Sequence, residues 1–118
     1  MAGDDEESVA EETYLYLTTT GRRTGAPRTI EIWFTQHAGR LYVISELGER
    51  SQWVRNLRHD PRVAVRVGDR RFRATARILD AKRDAPRRRR IAALSEAKYG
   101  WGTGLIVELQ PADLLEGT

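Results

Sequence analysis

Between residues 62 and 80 the chain alternates so regularly that few local folds can accommodate it. Val63, Val65 and Val67 fall on one side of an extended chain, and Arg62, Ala64 and Arg66 on the other. After Gly68 and Asp69 the alternation resumes: Phe72, Ala74, Ala76 and Ile78 oppose Arg71, Arg73, Thr75 and Arg77. A period of two sends alternate side chains to opposite faces of a strand. A Gly-Asp pair between two such runs is turn chemistry. The pattern predicts a hairpin over 62–67 and 71–80, with one apolar face and one stripe of arginines. A sheet with one dry face must bury it, against a second layer or by curling on itself.

The rest of the chain extends the same theme. Residues 13–20, rich in threonine and tyrosine, read as a strand. A second strand is expected over 29–36, with Ile30, Ile32 and Phe34 on one face and Glu31, Trp33 and Thr35 on the other. His37, Ala38, Gly39 and Arg40 then form a hairpin connection into a third strand over 41–45. Gly48 breaks the pattern, and Ser51 suits the cap of a short helix to about residue 58. Trp53, Asn56 and Leu57 crowd one face of that helix, which Asp60 and Pro61 stop.

Asp84 and Pro86 mark the start of a second helix running to about residue 98, with Ile91 and Leu94 buried and Ala97 near them. Arg87 to Arg90 are consecutive, so at about 100° per residue they fan around its axis as solvated cations, some paired with acids. Residues 99–102 read as a flexible aromatic connection into a last strand over 105–109, ended by Pro111. The expected fold is mainly β (α+β): six antiparallel strands closing into a small barrel, with two interposed helices. An acidic, flexible N-terminus over 1–12 and a tail over 111–118 flank the barrel domain of residues 13–110.

Composition narrows the chemistry. A chain of 118 residues is one domain, and with no cysteine it has neither disulfides nor thiolate metal sites. His37 and His59 lack partners at metal-ligand spacing, so no metal is expected. There is no phosphate-binding Walker loop, no dinucleotide glycine fingerprint and no nucleophile elbow. No apolar run approaches membrane-spanning length and the acidic start does not read as a signal peptide, so a cytoplasmic location without membrane partners is expected. If the chain is an enzyme, a bound organic cofactor does the chemistry.

One stretch does carry binding chemistry. Between two strands, Gly21 and Gly25 frame a turn holding Arg22, Arg23, Thr24 and, just beyond, Arg28, with Thr20 before it. Arginine forks and hydroxyl donors around a relaxed backbone suit a phosphate. The same residues also fit an ordinary hairpin loop with exposed arginines, and both readings stand at this point.

The run from Leu17 to Arg28, a hydrophobic strand after it, then Trp53-Val54-Arg55-Asn56-Leu57 and Asp60-Pro61, resembles the deazaflavin-dependent nitroreductase family. That family belongs to the flavin-binding split β-barrel superfamily and uses coenzyme F-420, a deazaflavin. The resemblance implies that Arg22, Arg23, Thr24 and Arg28, with the Thr20 hydroxyl, hold the cofactor phosphate. It implies that Trp33, Ser45 and the backbone near Gly48 flank the ring, and that Trp53 and Asn56 close the site. A polar ligand edge is the expected partner of Asn56, and Tyr99 is the candidate proton donor. The implied reaction is hydride transfer between the deazaflavin and a small electron-poor acceptor, such as an enone, a quinone or a nitro compound.

Departures from the family pattern bear on the acceptor. Glu31 stands where many relatives have proline, and Glu46 where some carry a lysine. Tyr99 and Trp101 remain from a region that is richer in tyrosine in the nitroreductases. FMN is the alternative cofactor. A further alternative is a basic barrel holding nucleic acid on Arg62, Arg66, Arg71, Arg73 and Arg77, although that stripe lacks interleaved aromatics for base stacking. A homodimer is left open.

Overall fold

The computed structural model describes residues 9–112. Its strands are β1 (Tyr14–Thr20), β2 (Pro27–Trp33), β3 (Thr35–His37), β4 (Arg40–Ser45), β5 (Arg62–Val67), β6 (Arg70–Ile78) and β7 (Leu105–Pro111). A short 3-10 turn (Gly48–Arg50) leads into helix α1 (Gln52–His59), and α2 (Ala85–Tyr99) joins β6 to β7. The strands form one antiparallel sheet in the order β2-β1-β5-β6-β7-β4-β3. Most of the expected N-terminal segment and of the expected tail lies outside the described residues. Val9, within the segment expected to be flexible, is buried in the core at 3% exposure.

The sheet has seven strands rather than six because the expected second strand is broken at Phe34. β2 pairs with β1 from Pro27 to Trp33, and β3 pairs with β4 from Thr35 to His37. The two edges of the sheet are thus successive pieces of one run, so the sheet curls into a barrel split at this residue. Phe34 has a buried side chain, and its backbone groups find partners in α2 rather than in a ladder. Its N–H donates to the Tyr99 hydroxyl at 3.0 Å, and its carbonyl accepts from Lys98 Nζ at 3.0 Å. A buried backbone donor or acceptor left unpaired is costly, which is why two side chains come to this point. The break also moves Thr35, expected beside Glu31 and Trp33, to a buried position.

The barrel interior holds Leu15, Leu17, Phe34, Leu41, Val43, Val63, Val65, Val67, Val107 and Leu109. A second cluster of Tyr42, Ile44, Leu79, Ile91 and Ile106 lies between the outer face of the sheet and α2. β4 and β7 are therefore buried on both faces. Each fully buried aliphatic side chain contributes about 1.5–3 kcal/mol relative to exposure, so these two strands anchor the molecule. Ala97 is exposed, so the buried face of α2 is narrower than its sequence predicts.

The β5–β6 hairpin has the expected alternation, but its arginines are largely occupied. Arg62 pairs with Asp60 at 2.9 Å, Arg66 lies 4.3 Å over the Tyr16 ring, and Arg77 pairs with Asp84 at 2.9 Å. Ser51 and Asp84 stand at the N-caps of α1 and α2 without capping side-chain bonds. Ser51 is instead 2.6 Å from the Ser45 hydroxyl, and Asp84 accepts from the Asp80 N–H at 2.7 Å. The connection after α2, expected to be flexible, is pinned. Ser95 donates to the Trp101 carbonyl at 2.5 Å, and a Cβ on Gly102 would lie 2.4 Å from the Ala92 carbonyl oxygen.

Candidate functional site: a basic turn locked by a helix

The turn between β1 and β2 closes on itself before it meets anything else. Gly21 N–H donates to the Ala26 carbonyl at 2.7 Å, Gly25 N–H to the Gly21 carbonyl at 2.8 Å, and Ala26 N–H to Thr24 Oγ1 at 3.1 Å. A Cβ on Gly21 would sit 3.0 Å from the Ala26 oxygen, tight enough that a side chain there would push the closed loop open by a few tenths of an ångström.

Helix α1 then fixes the turn through Arg22. Asn56 Oδ1 accepts from the Arg22 backbone N–H at 3.2 Å and from its Nη1 at 2.8 Å, while Gln52 Oε1 accepts from Nη2 at 2.8 Å. Asn56 Nδ2 donates to Thr19 Oγ1 at 3.2 Å, and Asn56 is 4% exposed. The buried amide is thus satisfied by protein groups where a ligand edge was expected. Gln52 escaped the sequence reading. It lies four residues before Asn56 on the same helical face, and that spacing was the available signal.

With Arg22 turned inward, Arg23 and Arg28 remain exposed and make no hydrogen bond or ion pair among the described residues. They line a cleft of about 720 Å³ together with Thr24, Ile30, Trp53 and Asn56. Trp53 forms its apolar wall and packs against the barrel core. Of the residues singled out in the sequence, Arg22, Arg23, Thr24, Arg28, Trp53 and Asn56 are gathered here.

The others lie elsewhere. Thr20 lines a neighbouring groove with Thr18, Asp60 and Arg62. Ser45 is buried, with its hydroxyl 3.0 Å from the Gly48 carbonyl, so both residues belong to the bend that leads into α1. Trp33 is 45% exposed and stacks on Tyr99 with centroids 4.5 Å apart and planes 3° apart. Trp101 meets Trp33 edge-on at 6.3 Å. These tryptophans line a second cleft of about 560 Å³.

The Tyr99 hydroxyl is committed to the backbone. Besides accepting from Phe34 N–H, it lies 2.7 Å from the Phe34 carbonyl and 2.5 Å from that of Thr13, either of which takes its one proton. Burial pushes its pKa up, against the Phe34 backbone bond. Lys98, 4.0 Å over the Phe34 ring, has its ammonium pushed down to about 8 by burial, against the pull of Glu12.

Both clefts lie along β2. Ile30 faces the basic one, while Ile32 and Trp33 face the aromatic one. The arrangement can hold an anion at one end and a planar group at the other. Among the described residues, no helix is long and apolar enough to cross a membrane.

Solved structures share this fold at low sequence identity. An F420-H2 dependent reductase, FDR-A, matches with a TM-score of 0.66 and 21% identity, over 82% of this chain and 92% of that one. A conserved hypothetical protein from Mycobacterium tuberculosis gives 0.75 and 20%, over 93% and 79%. The heme storage protein HutZ from Vibrio cholerae gives 0.74 and 18%, over 94% and 89%. The family model for F420H(2)-dependent quinone reductase matches residues 4–105, and the chain belongs to that family.

Proposed function

We propose that this oxidoreductase, which uses coenzyme F-420 as its family does, holds the cofactor phosphate between Arg23 and Arg28 and reduces a small quinone. The observation that carries this reading is the division of labour among the arginines. Arg22 is spent on Asn56 and Gln52, which fixes the loop. Arg23 and Arg28 face the cleft with their donors free. A pair of unpaired guanidinium groups on a fixed loop, beside an apolar tryptophan wall, fits a phosphate-bearing cofactor. When bound, the deazaflavin supplies the two-electron carrier that no side chain here provides.

The chain's own part is to bind, orient and exclude water. Arg28 and Trp33 are five residues apart on β2, roughly 16 Å at the rise of a strand, so a cofactor anchored in the basic cleft reaches the edge of the aromatic one and leaves its shelf to the acceptor. Trp33 offers a flat face next to the second cleft, and Tyr99 braces it from behind. In this reading Tyr99 positions Trp33 and is not the proton donor expected above, because its hydroxyl is held by backbone groups.

Titration of the purified protein with coenzyme F-420 and with FMN, followed by fluorescence, tests the proposal. Saturable binding of the deazaflavin is expected. Arg23→Ala and Arg28→Ala should each weaken it about tenfold or more, the worth of a charge-assisted bond. Unchanged affinity in both variants would remove the phosphate assignment. Preference for FMN would move the protein to the other branch of the split barrels.

A further inference from the structure

The aromatic cleft has an electrostatic character of its own. Trp33, Trp101, Ile32 and Ile44 make its walls, and the charged side chains lining it are those of Glu31 and Glu46. The shelf is rigid, since Trp33 is clamped between Tyr99 and Trp101 and Tyr99 is tied to the backbone at Phe34 and Thr13. Glu31 lies opposite Tyr16 across the β1–β2 pair, and its carboxylate pushes the Tyr16 phenol above its ordinary pKa. Glu46 is exposed and makes no hydrogen bond or ion pair among the described residues. Arg23 and Arg28, by contrast, lie in the other cleft.

We infer that the Trp33–Trp101 shelf is the acceptor subsite, and that Glu31 and Glu46 restrict it to neutral or cationic planar acceptors by repelling anionic ones. This rests on the function proposed above, and it adds the charge class of the acceptor and the two residues that set it. Exposed indole faces stack on electron-poor planar rings. Two carboxylates at the rim raise the energy of a sulfonate or carboxylate held there. In a water-like dielectric each disfavours an anion about 4 Å away by roughly fivefold, and salt screens the effect. The polarity is opposite at the two ends of β2. The basic cleft draws the anionic cofactor tail, and the acidic rim keeps anions off the shelf.

The test uses 1,4-naphthoquinone and its 2-sulfonate, two probes of one ring system that differ in charge. Quenching of tryptophan fluorescence reports their binding to the protein without cofactor. The sulfonate is expected to bind at least about tenfold more weakly than the neutral quinone at low ionic strength, with the gap closing as salt is added. In Glu31→Gln/Glu46→Gln the ratio of the two affinities should fall to about threefold or less. Trp33→Leu should abolish most of the quenching by the neutral quinone, with a melting curve confirming that the variant is folded. Equal affinities in the unaltered protein would overturn the inference, as would a ratio unmoved by the double substitution or quenching that survives in Trp33→Leu. Failure of the cofactor titration would leave these measurements intact, so the two proposals fail separately.

Discussion

Asn56 brings a whole amide into a nearly dry position, and the fold meets it with Arg22 on one side and Thr19 on the other. Its spacing from Trp53 made its burial legible in the sequence. Its partners were not legible, because contact between residues 22 and 56 depends on how the β1–β2 turn crosses α1. Nothing local encodes that crossing. Under the proposed function, Asn56 would act on the cofactor only through Arg22, as a positioning residue. Asn56→Ala should cost about 2–4 kcal/mol in urea unfolding, since it strands a buried hydroxyl and releases a guanidinium. It should also weaken coenzyme F-420 binding, although the amide donates and accepts only within the protein. Asn56→Asp keeps the acceptor for Arg22 and loses the donor to Thr19, so it should retain more affinity than the alanine. If Asn56→Ala loses stability but binds the cofactor as before, the turn does not need its tether.

At the scale of elements, the strands were legible and the docking of α2 was not. Alternation identifies β5 and β6 because each has one wet face. β4 and β7 are buried on both faces, and there Glu108 lies under the helix at 4% exposure. It accepts from the Tyr42 hydroxyl and from Arg87 Nη1, each at 2.9 Å, and from Arg77 Nε at 3.4 Å. Arg87 is one of four consecutive arginines in the sequence, and only the register of β7 beneath α2 shows which of them has a carboxylate to meet. Within α2 only Ile91 and Ser95 are fully buried, so polar contacts carry much of its attachment.

That attachment has a pH signature. Burial pushes the Glu108 carboxyl up. The bonds from Tyr42 and Arg87, with the charges of Arg77 and Arg40, outweigh it and hold the group below its ordinary value. A depressed folded pKa means stability that is present above the unfolded carboxyl value and lost as pH falls through the folded one. Glu108→Gln should therefore be less stable by about 2–3 kcal/mol at neutral pH. The gap to the unaltered protein should narrow below about pH 4. Urea midpoints of both proteins across the acid range check this, and a gap that stays constant with pH would rule out an ionic role for Glu108.

For the molecule as a whole, the least legible feature was how the sheet closes. Ile30, Ile32 and Phe34 alternate without interruption, so the sequence shows one strand where the barrel needs two edges. Only backbone partners supplied by Lys98 and Tyr99, more than sixty residues later, make the break at Phe34 affordable. The basic cleft inherits this dependence on distant elements, because its walls come from the β1–β2 turn, β2 and α1. Those walls come together only in the folded chain, so a ligand held there binds the native state alone and stabilises it in proportion to RT ln(1 + [L]/Kd). At about one hundred times Kd this is about 2.7 kcal/mol, equivalent to a rise of roughly 10 °C in the melting temperature of a domain this small. Coenzyme F-420 should produce such a rise, and added salt should reduce it. The double variant Arg23→Ala/Arg28→Ala should lose the rise, while its own melting without ligand stays within about 0.5 kcal/mol of the parent, because both side chains are exposed and unpaired. A shift that persists in the double variant would place the anion elsewhere. A variant that melts early on its own would mean that the two arginines hold the fold rather than the ligand.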